Sequence, residues 1–130
     1  MVHLDISIEC YGCSRMFTTY SGMIIHLESG SCDSGITNVD LNQSAAMCYQ
    51  WRHCIHKEYC DEMLEERDLS RDYIYTIYPF KCPTCGSDFS KLSGLFQHID
   101  SQACEQTLAS GAIGKLVRWL ERRHDKNCEY

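Results

Sequence analysis

Six of the ten cysteines and two of the six histidines of this 130-residue chain fall into two copies of one frame, C-x2-C-x12-H-x5-C. The first copy is Cys10, Cys13, His26 and Cys32. The second is Cys82, Cys85, His98 and Cys104, each position displaced by 72 residues. The C-x2-C pair presents two thiolates from one tight turn. The gap that follows lets the chain turn back and begin a helix, from which the histidine and the last cysteine face the pair. Three thiolates and an imidazole in a tetrahedron suit Zn²⁺ with no position left open, as in a structural site. The repeat continues past the donors. Ser21-Gly22 returns as Ser93-Gly94, Phe17 as Phe89, Met23 as Leu95 and Glu28-Ser29 as Asp100-Ser101. Units this small cannot bury an adequate core unaided, so metal binding would contribute folding free energy, with apparent values of about 10–16 kcal/mol for peptides of this kind.

With those residues in place, both segments resemble the C2H2 zinc-finger family, with a cysteine where the second histidine stands. The family's apolar positions are filled as well. Ile8 and Phe80 precede the first cysteine by two, Phe17 and Phe89 follow the second by four, and Met23 and Leu95 precede the histidine by three. The stretch from Phe89 through Ser93-Gly94-Leu95-Phe96-Gln97-His98-Ile99-Asp100-Ser101 to Cys104, with the amphipathic tail behind it, is similar to small C2H2-type finger proteins of filamentous fungi. That resemblance implies zinc binding and a nuclear role, and no established partner.

Charge narrows the partners. The formal net charge is −6. Three thiolates against one Zn²⁺ at each of two centres bring the loaded chain to about −8, whereas nucleic-acid binders usually carry the opposite sign. Ten cysteines behind a signal peptide would read as a disulfide scaffold. The first ten residues have neither a basic nor an apolar leader region, so the cysteines are expected to be reduced zinc ligands in a nuclear or cytoplasmic protein. No run approaches the roughly 18 apolar residues of a membrane span, and no membrane partner is expected.

The elements that must position the ligands follow from patterning. Val2, Leu4, Ile6 and Ile8 alternate with polar residues, as a half-buried strand running into the first cysteine pair. A helix is expected over residues 20–29, stopped by Gly30. Met23, Ile24, Ile25 and Leu27 occupy more than one face of it, as do Leu92, Leu95, Phe96 and Ile99 of the second helix, so both helices are expected to pack against other protein. Between them, Met47, Trp51, Ile55, Tyr59 and Met63 recur every fourth residue. This periodicity predicts one long helix over residues 40–67, a spine shared by the two fingers. Residues 73–78, all β-branched or aromatic, read as a strand leading into the second pair. The tail is helical, with Ile113, Leu116, Val117 and Leu120 on one face and Lys115, Arg118, Arg122 and Lys126 beside them.

The expected architecture is therefore α+β, two ββα-type C2HC fingers packed around a central helix with a C-terminal amphipathic helix. The whole of 1–130 is read as one zinc-binding domain, with a first finger over 1–33, a helical connector over 34–72, a second finger over 73–105 and a C-terminal helix over 106–130. His53, His56 and Cys60 share one side of the expected spine and could form a third metal site with Cys48 or Cys128; packing in a buried face is the other reading. Catalysis is not expected, because four protein ligands close a zinc site and no nucleophilic triad, phosphate loop or metalloprotease motif is present, so no small-molecule substrate is expected either. The family's base-reading positions fall here on Thr19, Ser21, Gly22 and Ile25, then Lys91, Ser93, Gly94 and Gln97. Arginine, the commonest specific reader of guanine, is absent from them, and only Lys91 and Gln97 suit a base. The long connection between frames also differs from the short joints that let tandem fingers follow a groove. A protein partner is the expected ligand. A nucleic-acid regulator is the alternative, with contacts from Lys91, Gln97, Lys115, Arg118, Arg122, Arg123 and Lys126.

Overall fold

The computed structural model describes residues 8–101, 108 and 111–126. Each cysteine pair sits in a hairpin followed by a helix. In the first unit, β1 (Ile8–Glu9) pairs antiparallel with β2 (Met16–Phe17), Ile8 opposite Phe17, and α1 (Tyr20–Glu28) follows. Thr19 starts α1 by accepting the Gly22 N–H on its hydroxyl at 3.0 Å, as an N-cap residue does. Gly30, at φ +77°, ends it in a conformation that a side chain resists. The connector holds α2 (Asn38–Met47), a single 3₁₀ turn at Trp51–His53, α3 (Lys57–Leu64) and α4 (Leu69–Asp72). The second unit repeats the first with β3 (Phe80–Lys81), β4 (Asp88–Phe89) and α5 (Leu92–Asp100), Phe80 opposite Phe89. The last element is α6 (Gly111–His124). Among the described residues no helix is long and apolar enough to cross a membrane.

The two units meet through their helices. Met23, Ile24 and Leu27 of α1 and Leu92, Leu95, Phe96 and Ile99 of α5 are all buried in the one core, and α1 and α5 form the most extensive contact between elements. Tyr20 stands edge-on to Phe96 at 4.8 Å between centroids, and its hydroxyl meets that of Tyr11 at 2.6 Å. Burying side chains of this size contributes about 1.5–3 kcal/mol each, so apolar burial is the main term joining the units. Two carboxylates set the register. The Ser21 N–H in the first turn of α1 donates to Asp100 Oδ2 at 3.1 Å, and the Ser93 N–H in the first turn of α5 donates to Glu28 Oε2 at 3.0 Å. Each helix thus ends in the acid that caps the start of the other. The helices therefore run antiparallel, and the contact is two-fold in character.

The expected spine over residues 40–67 is not one helix. The Thr37–Asp40 capping box starts α2, but Cys48 turns extended at ψ 134° and the helical path is lost. The cause lies outside the segment. Ile55 bridges Phe80, the Lys81 N–H donates to the Cys54 carbonyl at 2.8 Å, and the His56 N–H donates to the Pro79 carbonyl at 2.8 Å. A continuous helix would forfeit all three, so tertiary pairing overrides the four-residue periodicity. Of that stripe Ile55 and Met63 are buried, while Met47 is exposed. The helices of the two units pack chiefly on each other, with α1 also against α2 of the connector. Residues 73–78 are not a strand either; they run without a ladder partner. The alternation of Val2, Leu4 and Ile6 lies outside the described residues, and β1 begins at Ile8. The expected helices over 20–29 and in the tail are present as α1 and α6. The C-terminal helix rests on α2, where Trp119 Nε1–H donates to the Ser44 carbonyl at 2.7 Å.

Candidate metal centres

The cysteine pairs are closed by backbone before any metal is considered. The Cys10 N–H donates to the Arg15 carbonyl and the Cys82 N–H to the Ser87 carbonyl, both at 2.9 Å. In the first pair Gly12 is required on steric grounds. A Cβ there would stand 2.3 Å from both Cβ and Oγ of Ser34 and 3.1 Å from Cys32 Sγ. The loop that delivers Cys32 therefore crosses directly over the turn that delivers Cys10 and Cys13. At the other end, Lys126 holds this turn from outside. Its N–H donates to the Tyr11 carbonyl at 2.8 Å, and its ammonium meets the Cys10 carbonyl at 2.9 Å and Glu9 at 3.1 Å.

The helices bring the imidazoles to the thiols. His26 lies on α1 with Nε2 at 3.6 Å from Cys13 Sγ, and Cys10 Sγ is 3.7 Å from Cys32 Sγ. All four donor atoms lie within 4.8 Å of one another. In the second centre Cys85 Sγ is 3.3 Å from Nε2 of His98 on α5, and Cys82 completes a group within the same limit. Cys104 lies outside the described residues. Phenyl rings steady both imidazoles from the same side of the repeat, Phe17 at 5.3 Å from His26 and Phe89 at 5.2 Å from His98. Ser29 and Ser101 each donate a hydroxyl to the carbonyl of the ligand histidine, at 2.7 and 2.8 Å.

These separations fit zinc. A tetrahedron with Zn–S of about 2.3 Å and Zn–N of about 2.0–2.1 Å has edges of roughly 3.8 Å between sulfurs and 3.6 Å between sulfur and nitrogen. The first centre shows 3.7 and 3.6 Å. A disulfide would hold its sulfurs at about 2.05 Å, and all eight described cysteines are free thiols. Electrostatics differ between the centres. Burial pushes the Cys10 thiol up to about 11. The hydroxyl and backbone N–H of Ser87 hold the more exposed Cys85 thiol down to about 6, aided by Cys82 and His98. A dication among the sulfurs would supply the positive charge that buried thiolates need.

The other proposed ligands do not converge. His53, His56 and Cys60 form no donor group among the described residues. His53 is exposed, His56 Nε2 is bonded to Asp88 at 2.7 Å, and Cys60 is buried on α3. The break after α2 removes the helical register that would have aligned them. Cys48 and Cys54 are core thiols, Cys54 pushed up to about 12 by burial and then by Cys48 and Cys82 nearby. Cys128 lies outside the described residues.

The residues considered for nucleic acid divide. Lys91 and Gln97 are exposed on the second unit, as are Lys115, Arg118 and Arg122 on α6. Lys115 lies over the Tyr49 ring at 5.8 Å. Arg123 donates to Ser44 Oγ at 2.9 Å and stacks on Trp119, while Lys126 closes the first cysteine turn. The interlock of Glu28 with Ser93 and of Asp100 with Ser21 was not foreseen from the sequence. Its signal was there, in the return of Ser21 and Glu28 as Ser93 and Asp100.

Residues 80–101 match the family model described as Zinc finger, C2H2 type. The match spans Cys82, Cys85 and His98 and stops short of Cys104. No curated protein matches the chain, and neither does any solved structure. The family match and the two donor groups support a zinc-binding protein of C2H2-like type, with both groups compatible with a structural zinc ion.

Proposed function

We propose that the chain is a non-catalytic, zinc-stabilised protein-interaction module. Residues 1–130 form one domain in this reading, with C2HC fingers over 1–33 and 73–105, and Cys104 is the fourth ligand of the second centre. The observation that carries it is the fate of the base-reading positions. Ser21 and Ser93, the second residues of the two finger helices, are buried, and their N–H groups are taken by Asp100 and Glu28. A finger helix reads DNA by entering the major groove; Ser21 and Ser93 are withdrawn from that approach, while Thr19, Ile25, Lys91 and Gln97 stay exposed. The negative charge of the chain and the engagement of Arg123 and Lys126 within the fold support the same reading. A nuclear location rests on the resemblance to small fungal finger proteins.

Nucleic-acid binding is the second reading, favoured by the exposure of Lys91, Gln97, Lys115, Arg118 and Arg122. Binding of random DNA and RNA at near-physiological salt, followed by selection for preferred sequences, separates the two. The interaction reading expects weak binding that fades with salt and with charge removal at Lys115 and Arg122, through phosphates alone. A tight complex with an enriched motif, lost on Lys91→Ala and Gln97→Ala, overturns it.

A further inference from the structure

The open face of α5 is the floor of a groove of about 1100 Å³, lined by Ser93, Gly94 and Gln97, by Ile25 and Glu28 of α1, by residues 73–79, and at the start of α5 by Lys91, opposite in sign to Glu28 and Asp88. Residues 73–79 carry the unusual feature. Ile77 and Pro79 are buried and fix the stretch to the body of the protein. Between and before them, Thr76 and Tyr78 face out, Tyr75 is 64% exposed and Ile74 is wholly exposed. The stretch continues directly into β3, which is paired with β4 on one side and bridged through Phe80 to Ile55 on the other. Yet among the described residues nothing hydrogen-bonds to the backbone of residues 74–78. A sheet thus runs out into a segment, bent at Ile74 and Tyr75, whose polar backbone edge has no partner, beside a groove.

Unpaired strand edges with pockets alongside are the surfaces on which extended peptides add as a further strand. The chemistry around this one selects by charge. A smaller hollow of about 300 Å³ on the same stretch is lined by Tyr59, Tyr75, Tyr78, Glu58 and Asp88, and by His56, whose Nε2 is bonded to Asp88. Aromatic faces together with exposed carboxylates hold a cationic side chain by cation–π and ionic attraction. The net charge of −6 acts in the same sense.

Building on the interaction reading, we propose that residues 76–78, between the bend and β3, accept an extended, basic segment of a partner protein as an added strand. A lysine or arginine of that segment seats among Tyr59, Tyr75, Tyr78, Glu58 and Asp88.

The zinc-loaded full chain is titrated with three labelled decapeptides, read by fluorescence anisotropy. One alternates valine and lysine, one alternates valine and glutamate, and one is the valine–lysine peptide N-methylated at every second residue. The valine–lysine peptide is expected to bind, and the glutamate and N-methylated peptides at least about tenfold more weakly. Tyr75→Ala with Tyr78→Ala should weaken binding about tenfold or more, whereas Tyr49→Ala, exposed elsewhere on the surface, should not. Amide shifts on binding should centre on residues 76–78 and on Ser93, Gly94 and Gln97. Equal binding of the N-methylated peptide, indifference to the tyrosine pair, competition by duplex DNA for the same amides, or no binding by any peptide overturns the inference. The broader interaction reading is decided separately, by the nucleic-acid selection.

Discussion

Gly12→Ala is the sharpest test of how the first centre is built. The new methyl would meet Cβ and Oγ of Ser34 at 2.3 Å and Cys32 Sγ at 3.1 Å. Ordinary contact begins near 3.4 Å, so the chain through Cys32–Ser34 must retreat by about 1 Å, while metal–ligand distances tolerate only about 0.2 Å. Cys32 is then held off the metal or binds it strained. Disturbing the groups that orient zinc ligands typically costs about 10–100-fold in affinity, equivalent to about 1.4–2.7 kcal/mol. Competition against a chromophoric chelator measures this, and cadmium NMR assigns the loss to one centre. The second centre should retain its metal at first. Ser34→Gly in the same chain removes both close contacts at Ser34, at the cost of its hydroxyl bond to Cys32 Sγ at 3.2 Å, and should restore part of the affinity. Unchanged affinity in Gly12→Ala, or no recovery in the double variant, would refute the crossing of the two loops as the reason for this glycine.

Native mass spectrometry should find two zinc ions per chain, and chelation should unfold both units together; one ion, or metal-free protein that keeps its fold, contradicts the structural role. Glu28→Gln and Asp100→Asn each weaken a cap worth about 0.5–2 kcal/mol, and denaturant titration should show non-additivity in the pair, because both act on one helix–helix register. Phe96→Ala empties a wholly buried site against Tyr20 and should cost about 3–5 kcal/mol. His124 is held below its ordinary value by burial and then by Arg123, against a smaller opposing pull from Asp40, and its Nε2 meets the Ser44 hydroxyl at 2.7 Å. As pH falls through about 6.5 the unfolded chain takes up the proton before the folded one. Stability that is complete above that pH is therefore lost toward the depressed folded value. His124→Asn should flatten this part of the stability–pH curve relative to the parent, leaving the acid loss caused by the zinc ligands.

What could be read from the sequence was local. The ligand frames, the helix over residues 20–28 and its arrest at Gly30 depend on neighbours a few residues away, and the repeat doubled each signal. The connector was misread for the opposite reason. Nothing between residues 40 and 67 announces that residues 54–56 will pair with 79–81, so a regular stripe of Met47, Trp51, Ile55, Tyr59 and Met63 looked like one helix. Residues 73–78 failed in the converse way, since β propensity describes a chain that fits a ladder without supplying a second strand. The all-round apolar character of α1 and α5 correctly required a covering surface, but periodicity could not identify the cover as each other. The need for glycine at position 12 was invisible, because it is set by Ser34 rather than by backbone conformation.

The paired helices α1 and α5 amount to a dimer interface enclosed within one chain. Contacts of this two-fold kind ordinarily form between separate subunits and weaken on dilution. Here the connector keeps the halves at an effective molarity of about a millimolar or more, so their association is indifferent to protein concentration. The same surfaces can be satisfied by units from two chains. Shortening residues 34–79 until they no longer span the gap should therefore favour exchanged dimers, with Glu28 of one copy capping Ser93 of the other and the α1–α5 contact reproduced in trans.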